Sequence, residues 1–426
     1  MIWACLSLIL VGAAISTPLT AVLIRLGHRL KTFDSPGVAG QVKAAPRRVP
    51  NTGGVAVFLG VAIPLLAALV ALNLPGLDRA PSATESGIAG VITRWVPALH
   101  EHLPGIRDKT LDAAALVGAL LIVHVMGLAD DRRPLKAIPK LLVMIGVCSA
   151  LVGITGSRML TLLDPYAGGA WLSYAVTVAW IIVVMNAMNF LDNMDGLSAG
   201  IGAITAAFFL AAALVGSPPQ WFIAACLALL IGSLAGFLLF NAPRPWSGRA
   251  ATIFMGDGGS LVVGLLLAFL SVRITYAESW PSEAVVGGVA HVAGSFATTW
   301  LGVFTPLVVL AIPLYDFTTV VILRLSQGKN PLVGDLQHVS HRLVQRGLTR
   351  RGAVYVLWAL TAATGCGAIS LRSLQDWQAA LVVAQTLMIL GVLFAYEHAS
   401  RHTARPLRPG APGGAATPTA DEADSP

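Results

Sequence analysis

Acidic and amide side chains stand at the ends of segments apolar enough to cross a bilayer. Asp130 and Asp131 end one such segment, and four oxygen-bearing side chains recur at intervals of three at the end of another. Those four are Asn186, Asn189, Asp192 and Asp195. A carboxylate at the bilayer centre costs at least about 2.5 kcal/mol, so acids retained near such positions are usually functional. This pattern indicates an active site.

The spacing of three suits a helix with one polar stripe. Successive members rotate by about 60° on a helix, so the first three lie within about 120°. A hard cation such as Mg²⁺ takes oxygen ligands of this kind together with phosphate oxygens. The alternatives are a polar capping run before Gly196 and, for Asp130 and Asp131 beside Arg132, a solvated helix end.

Three further features add to this pattern. The segment 254–260 combines Asp257 with three glycines, and a helix start with small residues favours phosphate; the alternative is a glycine turn with Asp257 as N-cap. His338, His341 and Arg342 lie in a basic loop, where they could neutralise a diphosphate or form a plain basic surface. Asp316 lies within an apolar segment, where it is either functional or hydrogen-bonded to a neighbouring helix.

Composition defines the class of protein that holds these residues. The chain is 56% hydrophobic and 12% charged, with mean hydropathy +0.75, against about 25% charged in soluble domains. We predict an all-α polytopic membrane protein, because lipid-facing strands would leave backbone groups unpaired and continuous apolar runs exclude a barrel. The net charge of +7 predicts basic loops and no nucleic-acid partner. The four scattered cysteines read as small core residues.

Apolar runs of about 20 residues predict about eleven transmembrane helices, the first one retained. They are about 2–24, 53–74, 111–129, 138–156, 171–190, 196–216, 219–240, 257–272, 299–323, 353–371 and 377–397. Of the 28 Lys and Arg residues, 21 fall on one side. The positive-inside rule makes that side cytoplasmic, with the N-terminus outside and the C-terminus cytoplasmic. Residues 1–403 are predicted to form one membrane domain, and 404–426 a disordered cytoplasmic tail.

Five motifs in order resemble the polyprenyl-phosphate N-acetylhexosamine-1-phosphate transferase family, also called glycosyl transferase family 4. They are Arg48–Gly54, Gly127–Asp131, Asn186–Leu197, Phe254–Ser260 and His338–Leu343. The chain looks most like the undecaprenyl-phosphate GlcNAc-1-phosphate transferase branch. The resemblance implies transfer of N-acetylhexosamine 1-phosphate from a UDP-sugar to undecaprenyl or another polyprenyl phosphate, with release of UMP, at the start of a lipid-linked envelope glycan.

The resemblance also implies site residues. Asn189 and Asp257 would hold Mg²⁺, with Mn²⁺ as a substitute. Asp130 would act as base on the lipid phosphate with Asp131 in support, and Asp257 is the third catalytic acid. Substrate-binding roles fall to six residues: Lys140, Asp192, Asp195, His338, His341 and Arg342.

The implied partners are a UDP-N-acetylhexosamine, polyprenyl phosphate and membrane lipid, and a homodimer is compatible with them. The implied location is the bacterial cytoplasmic (inner) membrane, with the active site on the cytoplasmic face. Two positions depart from the family pattern: Ser340 stands between the two histidines, and Asn193 replaces a common glycine. The alternatives are a phospho-N-acetylmuramoyl-pentapeptide transferase and, from another class, an ion-coupled transporter, although no repeat of the transporter kind is visible. Direct displacement is favoured over a covalent aspartyl intermediate, which stays open.

Overall fold

The chain is a bundle of long apolar helices in a computed structural model. The structure describes residues 2–33, 48–73, 109–215, 220–242, 250–276, 285–286, 289–290, 304–330, 337–369, 371 and 374–399. Within these ranges ten helices are long and apolar enough to cross a membrane. The prediction of an all-α integral membrane protein is confirmed. The segments 75–110 and 273–298, which separate predicted spans, lie mostly outside the described ranges, and the predicted tail at 404–426 lies wholly outside them.

Twelve helices are numbered here in chain order. They are α1 Ile2–Leu30, α2 Gly53–Leu72, α3 Thr110–Arg132, α4 Ala137–Thr155, α5 Trp171–Phe190, α6 Leu197–Val215, α7 Trp221–Asn241, α8 Asp257–Tyr276, α9 Ala311–Ser326, α10 Val339–Gln345, α11 Arg350–Ile369 and α12 Asp376–His398. A short 3-10 helix spans Thr161–Leu163. Two two-residue strands, β1 Val285–Val286 and β2 Val289–Ala290, pair antiparallel.

The ninth predicted span differs from the structure. Helical residues 304–309 are followed by a turn at Leu310 and then by α9, which has 16 residues. Pro313 lies in the first turn of α9 and has no N–H to donate to a carbonyl four residues earlier, which interrupts a continuous helix. This segment is therefore not among the ten uninterrupted spans.

Helix α8 is the centre of the bundle. Of its 18-residue apolar window 89% is buried, against 17% for α1. It packs against α2, α3, α5 and α6. A helix that is covered on all sides needs no polar face, which explains why α8 is apolar all round and not amphipathic. The predicted start at the glycine-rich turn is confirmed, because α8 begins at Asp257.

Two glycines allow α2 and α3 to approach the first turn of α8. A Cβ atom on Gly127 would lie 2.5 Å from the Gly258 Cα, and one on Gly54 would lie 2.3 Å from the Gly259 nitrogen. Both distances are shorter than any tolerated contact, so only glycine fits there. The start of α2, the end of α3 and the start of α8 therefore meet at one end of the bundle.

Candidate active site

A lysine and two carboxylates from three helices meet at this end. The Lys140 Nζ atom lies 2.7 Å from Asp130 Oδ2 and 2.5 Å from Asp257 Oδ2. Asp130 is near the end of α3, Lys140 is in the first turn of α4, and Asp257 opens α8. Charge-assisted hydrogen bonds of this length are among the stronger polar contacts in proteins. The three groups together carry a formal charge of −1.

Asn189 joins the same cluster from the end of α5. Its Nδ2 donates to Asp257 Oδ1 at 2.8 Å and to Ser260 Oγ at 2.9 Å. The two residues assigned to the metal therefore share one site and do not face different cavities.

Asp131 faces the backbone of α8, unlike its neighbour Asp130. Its Oδ1 accepts the N–H of Asp257 at 3.0 Å, and its Oδ2 accepts the N–H of Gly258 at 3.2 Å. The Asn51 Nδ2 also donates to Asp131 Oδ1 at 3.0 Å. A carboxylate on the free N–H groups of a helix start is stabilised by hydrogen bonds and by the helix dipole. Asp131 thus caps α8, which leaves the Asp257 carboxylate pointing at Lys140 and Asn189.

His124 is a residue of the site region that the sequence reasoning missed. It is buried in α3, with Nδ1 2.7 Å from the Gly258 carbonyl oxygen. Its ring stacks on Phe58 of α2 at 4.5 Å between centroids. The sequence feature that could have identified it is a lone histidine inside an apolar span, where an ionisable side chain is expected to have a polar partner.

The turn between α5 and α6 positions Asp192 and Asp195. Asp195 Oδ2 accepts the Ala251 N–H at 2.9 Å, which ties the turn to the segment before α8. Asp192 is half-buried in the same turn. Asn186 donates back to the Ile182 carbonyl of its own helix at 2.8 Å. The four polar residues selected for their spacing therefore have separate contacts, and Asn189 is the one that donates to Asp257.

Asp316 anchors the histidine-bearing helix α10. The carboxylate is fully buried; its Oδ1 accepts the Val339 N–H at 2.6 Å and its Oδ2 lies 2.9 Å from His338 Nδ1. Of the two alternatives left by the sequence, the hydrogen bond to a neighbouring element is the one the structure contains. The His338 ring meets the edge of Phe190 at 5.3 Å, and Phe190 follows Asn189 directly.

The Phe190 ring also faces a buried cation. The guanidinium carbon of Arg324, at the end of α9, lies 5.2 Å from its centroid, within cation–π range. Sequence reasoning did not select Arg324, since one arginine at a helix end is an ordinary feature of membrane proteins.

Arg342 makes its contacts within the protein. Its Nε donates to Glu397 Oε2 at 3.0 Å, one terminal nitrogen donates to Thr319 Oγ1 at 2.9 Å, and the other donates to the Gln337 carbonyl. Glu397, near the end of α12, was not predicted from the sequence. Arg342 therefore fastens α10 to α9 and α12.

His341 is half-buried beside His338, at 6.5 Å between ring centroids. Burial lowers the pKa of His341 below its ordinary value, and positive charge on His338 and Arg350 lowers it further, while Asp316 acts in the opposite direction. The imidazole is consequently neutral near pH 7.

The donor set at Asp257 suits a hard cation. Within the described ranges no group of three or more His, Cys, Asp or Glu side chains is arranged to hold a metal ion. Mg²⁺ commonly uses one or two carboxylates, with substrate phosphates and water completing its shell. Asp130 and Asp257 already share one cation, the Lys140 ammonium, so this position favours positive charge.

The fold and the site define an integral membrane protein whose charged cluster lies where several helices end. Residues 113–275 match the model of glycosyl transferase family 4. That match is to the family that the five motifs resemble, and it covers 113–275 of the chain's 426 residues. It includes Asp130, Lys140, Asn189 and Asp257, whereas α10 and α12 lie beyond it.

Several curated proteins resemble the chain over most of its length. A probable undecaprenyl-phosphate N-acetylglucosaminyl 1-phosphate transferase of Bacillus subtilis is 27% identical over 380 residues, covering 88% of this chain and 87% of the relative. A decaprenyl-phosphate N-acetylglucosaminephosphotransferase of Mycolicibacterium smegmatis is 29% identical over 352 residues, covering 80% and 76%. An undecaprenyl-phosphate alpha-N-acetylglucosaminyl 1-phosphate transferase of Escherichia coli is 26% identical over 266 residues, covering 61% and 65%.

Proposed function

We propose that this protein transfers N-acetylglucosamine 1-phosphate from UDP-N-acetylglucosamine to a polyprenyl phosphate and releases UMP. The names of the relatives support the donor sugar and the lipid acceptor. The observation that carries the proposal is the position of the Lys140 ammonium between Asp130 and Asp257, at the end of an apolar bundle. A diphosphate and a lipid phosphate can meet there while the polyprenyl chain stays in the membrane.

The reaction is a displacement at phosphorus. An oxygen of the lipid phosphate forms a bond to the β-phosphorus of the donor, and the bond from that phosphorus to the bridging oxygen breaks. UMP leaves with the bridging oxygen and its electron pair, so a lipid-linked sugar diphosphate remains. Positioning and charge stabilisation supply most of the catalysis in such transfers.

Asp130, Lys140 and Asp257 would act directly on the reacting groups. Asp130 would accept a proton from the lipid phosphate, or orient that phosphate for attack. Lys140 carries three N–H donors and would place them against the diphosphate oxygens.

The donor would extend from the turn with Asp192 and Asp195 to α10 with His338 and His341. Arg342 would support the donor site by holding α10 in place through its ion pair with Glu397 and its other hydrogen bonds. Mg²⁺ would be held by Asp257 and Asn189, and when bound it would neutralise charge on the diphosphate. Mn²⁺ would substitute for it.

We propose the bacterial cytoplasmic membrane as the location, with the site on the cytoplasmic side. The excess of Lys and Arg in the loops on that side supports this orientation, which leaves the N-terminus outside. UDP-sugars are cytoplasmic, so a cytoplasmic site also has access to the donor.

The test is a donor screen. Membranes carrying the protein receive Mg²⁺, polyprenyl phosphate and radiolabelled UDP-N-acetylglucosamine, and butanol-extractable label is measured together with UMP. Label in the lipid fraction supports the proposal. Product from the UDP-muramoyl-pentapeptide donor alone would assign the alternative transferase activity instead.

A matched variant tests the transporter alternative. Asp257→Asn keeps the size of the side chain and removes its charge, so UMP release should stop. An ion-coupled transporter would lose flux on the same substitution and would release no UMP in either form.

A further inference from the structure

Asn193 and Ser340 connect two segments of the site across 147 positions of the chain. The Ser340 Oγ donates to Asn193 Oδ1 at 2.6 Å. The Asn193 Nδ2 donates to the Phe190 carbonyl at 2.7 Å, which directs the amide oxygen towards α10. Ser340 is fully buried and Asn193 is half-buried, so this hydrogen bond is partly shielded from solvent, and breaking it would leave the buried Ser340 hydroxyl without this partner.

Each partner belongs to a segment that carries site residues. Asn193 lies in the turn with Asp192 and Asp195, and Ser340 lies in α10 between His338 and His341. The other anchors of α10 come from different helices, since Asp316 is in α9 and Glu397 is in α12. The Asn193–Ser340 bond joins α10 to the turn itself, next to the contact between the His338 and Phe190 rings.

We propose that Asn193 and Ser340 are positioning residues, which fix the distance between the turn and α10 so that both contact one donor molecule. The inference rests on the proposed function, because it takes both segments to bind the nucleotide sugar. The hydrogen bonds of Asn193 and Ser340 go to Phe190 and to each other, whereas Lys140 bonds to Asp130 and Asp257.

Because the Asn193–Ser340 bond is separate from the cluster of reacting groups, its loss should change one kinetic constant more than the other. A donor that spans both segments loses binding free energy when their spacing varies, because fixing the spacing again costs conformational entropy. The reacting groups keep their geometry, so the chemical step should proceed at its usual rate. Loss of the bond should raise KM for the UDP-sugar and leave kcat nearly unchanged.

The experiment is a double-mutant cycle with Ser340→Ala, Asn193→Ala and the double variant. A net hydrogen bond of about 1 kcal/mol corresponds to about a fivefold change in binding. Each single variant should raise KM for the donor about fivefold, with kcat within about twofold of the wild type. The double variant should be no worse than either single variant, because all three lack the same bond.

Ser233→Ala is the matched control. Ser233 is also fully buried, and its Oγ donates across helices to the Val57 carbonyl at 2.9 Å, away from the site. Its KM should equal that of the wild type. Should Ser340→Ala fail to fold, Ser340→Cys retains a weak donor and should give an intermediate KM.

Four outcomes would overturn the inference. Independent effects on KM that multiply in the double variant would show that the residues act separately. A loss of kcat that follows a loss of thermal stability, with KM unchanged, would show a purely structural role. An inactive wild-type protein would remove the proposed function first and this inference with it, whereas an active wild type with an unchanged KM in the variants would remove only the inference.

Discussion

The Lys140 Nζ atom lies 2.5 Å from Asp257 Oδ2, although 117 positions separate the two residues. The same ammonium bonds to Asp130, so it neutralises part of the charge that two adjacent carboxylates would otherwise present. A divalent cation that used these oxygens would have to compete with this lysine. Lys140 is therefore expected to oppose metal binding in the absence of substrate, even though the proposed function assigns it a part in turnover.

Replacing Lys140 by Met should separate these two effects. We expect kcat to fall at least about hundredfold, since an oriented charge on the transferring group is lost. Mn²⁺ should bind the detergent-solubilised variant at least about tenfold more tightly, because two like charges about 4 Å apart repel each other by about 4 kcal/mol at an effective dielectric of 20, and the variant lacks this repulsion. Titration calorimetry measures the affinity without any turnover.

Lys136→Met is the control for that variant. Lys136 precedes α4 by one residue and is exposed, so its replacement should alter neither Mn²⁺ affinity nor kcat appreciably. An unchanged Mn²⁺ affinity in Lys140→Met would contradict competition between the ammonium and the metal.

Gly127→Ala should destabilise the protein and reduce its activity. The added methyl group would lie 2.5 Å from the Gly258 backbone, and overpacking of this kind typically costs about 1–3 kcal/mol. The melting temperature in detergent should fall by several degrees. Gly118→Ala, in the same helix, is the control, because its added methyl group would have no other atom within 4 Å. This control should be neutral or slightly stabilising. Equal melting temperatures for the two variants would contradict the close approach at Gly127.

Asp131→Ala should lower stability, whereas Asp130→Asn should lower turnover. Asp131 satisfies two backbone N–H groups at the start of α8, and loss of a helix cap costs about 0.5–2 kcal/mol. Thermal melts and initial rates on both variants would test this distinction. If Asp131→Ala melts like the wild type, the capping role assigned to Asp131 is wrong.

Stability should fall in mild acid because of His341. Its pKa in the folded protein lies below the ordinary value of 6.5, so below pH 6.5 the unfolded chain takes up a proton more readily than the folded chain does. The free energy of unfolding contributed by this group is fully present above pH 6.5 and is lost as the pH falls towards the folded pKa. Melting curves of wild type and His341→Asn between about pH 5 and 8 would measure it. The variant should show a shallower decline, and parallel curves would refute the assignment.

The fold followed from the sequence because a bilayer imposes simple rules. Apolar runs long enough to cross it must be helical, and ten of the predicted segments form uninterrupted spans. The exception is the segment with α9, where Pro313 interrupts backbone hydrogen bonding. A count of apolar residues does not detect such an interruption.

The polar positions of the site were also readable from the sequence, because unpaired polar groups are costly at the ends of apolar segments. Asp130, Asn189 and Asp257 were selected, and the structure brings their side chains into one cluster around Lys140. Their contact follows from the close packing of Gly54 and Gly127 against α8. The presence of two glycines in the sequence does not show that they pack against this helix.

The tertiary structure decided which atom meets which. Asp130 and Asp131 are adjacent and identical in type, yet one faces Lys140 and the other caps α8, because successive residues on a helix point about 100° apart. Glu397 gains its contact from a helix that is distant in sequence, and Ser340 gains its contact from the turn that carries Asn193. Periodicity specifies the face of a helix that a side chain occupies, while its hydrogen-bond partner depends on the neighbouring helix packed against that face.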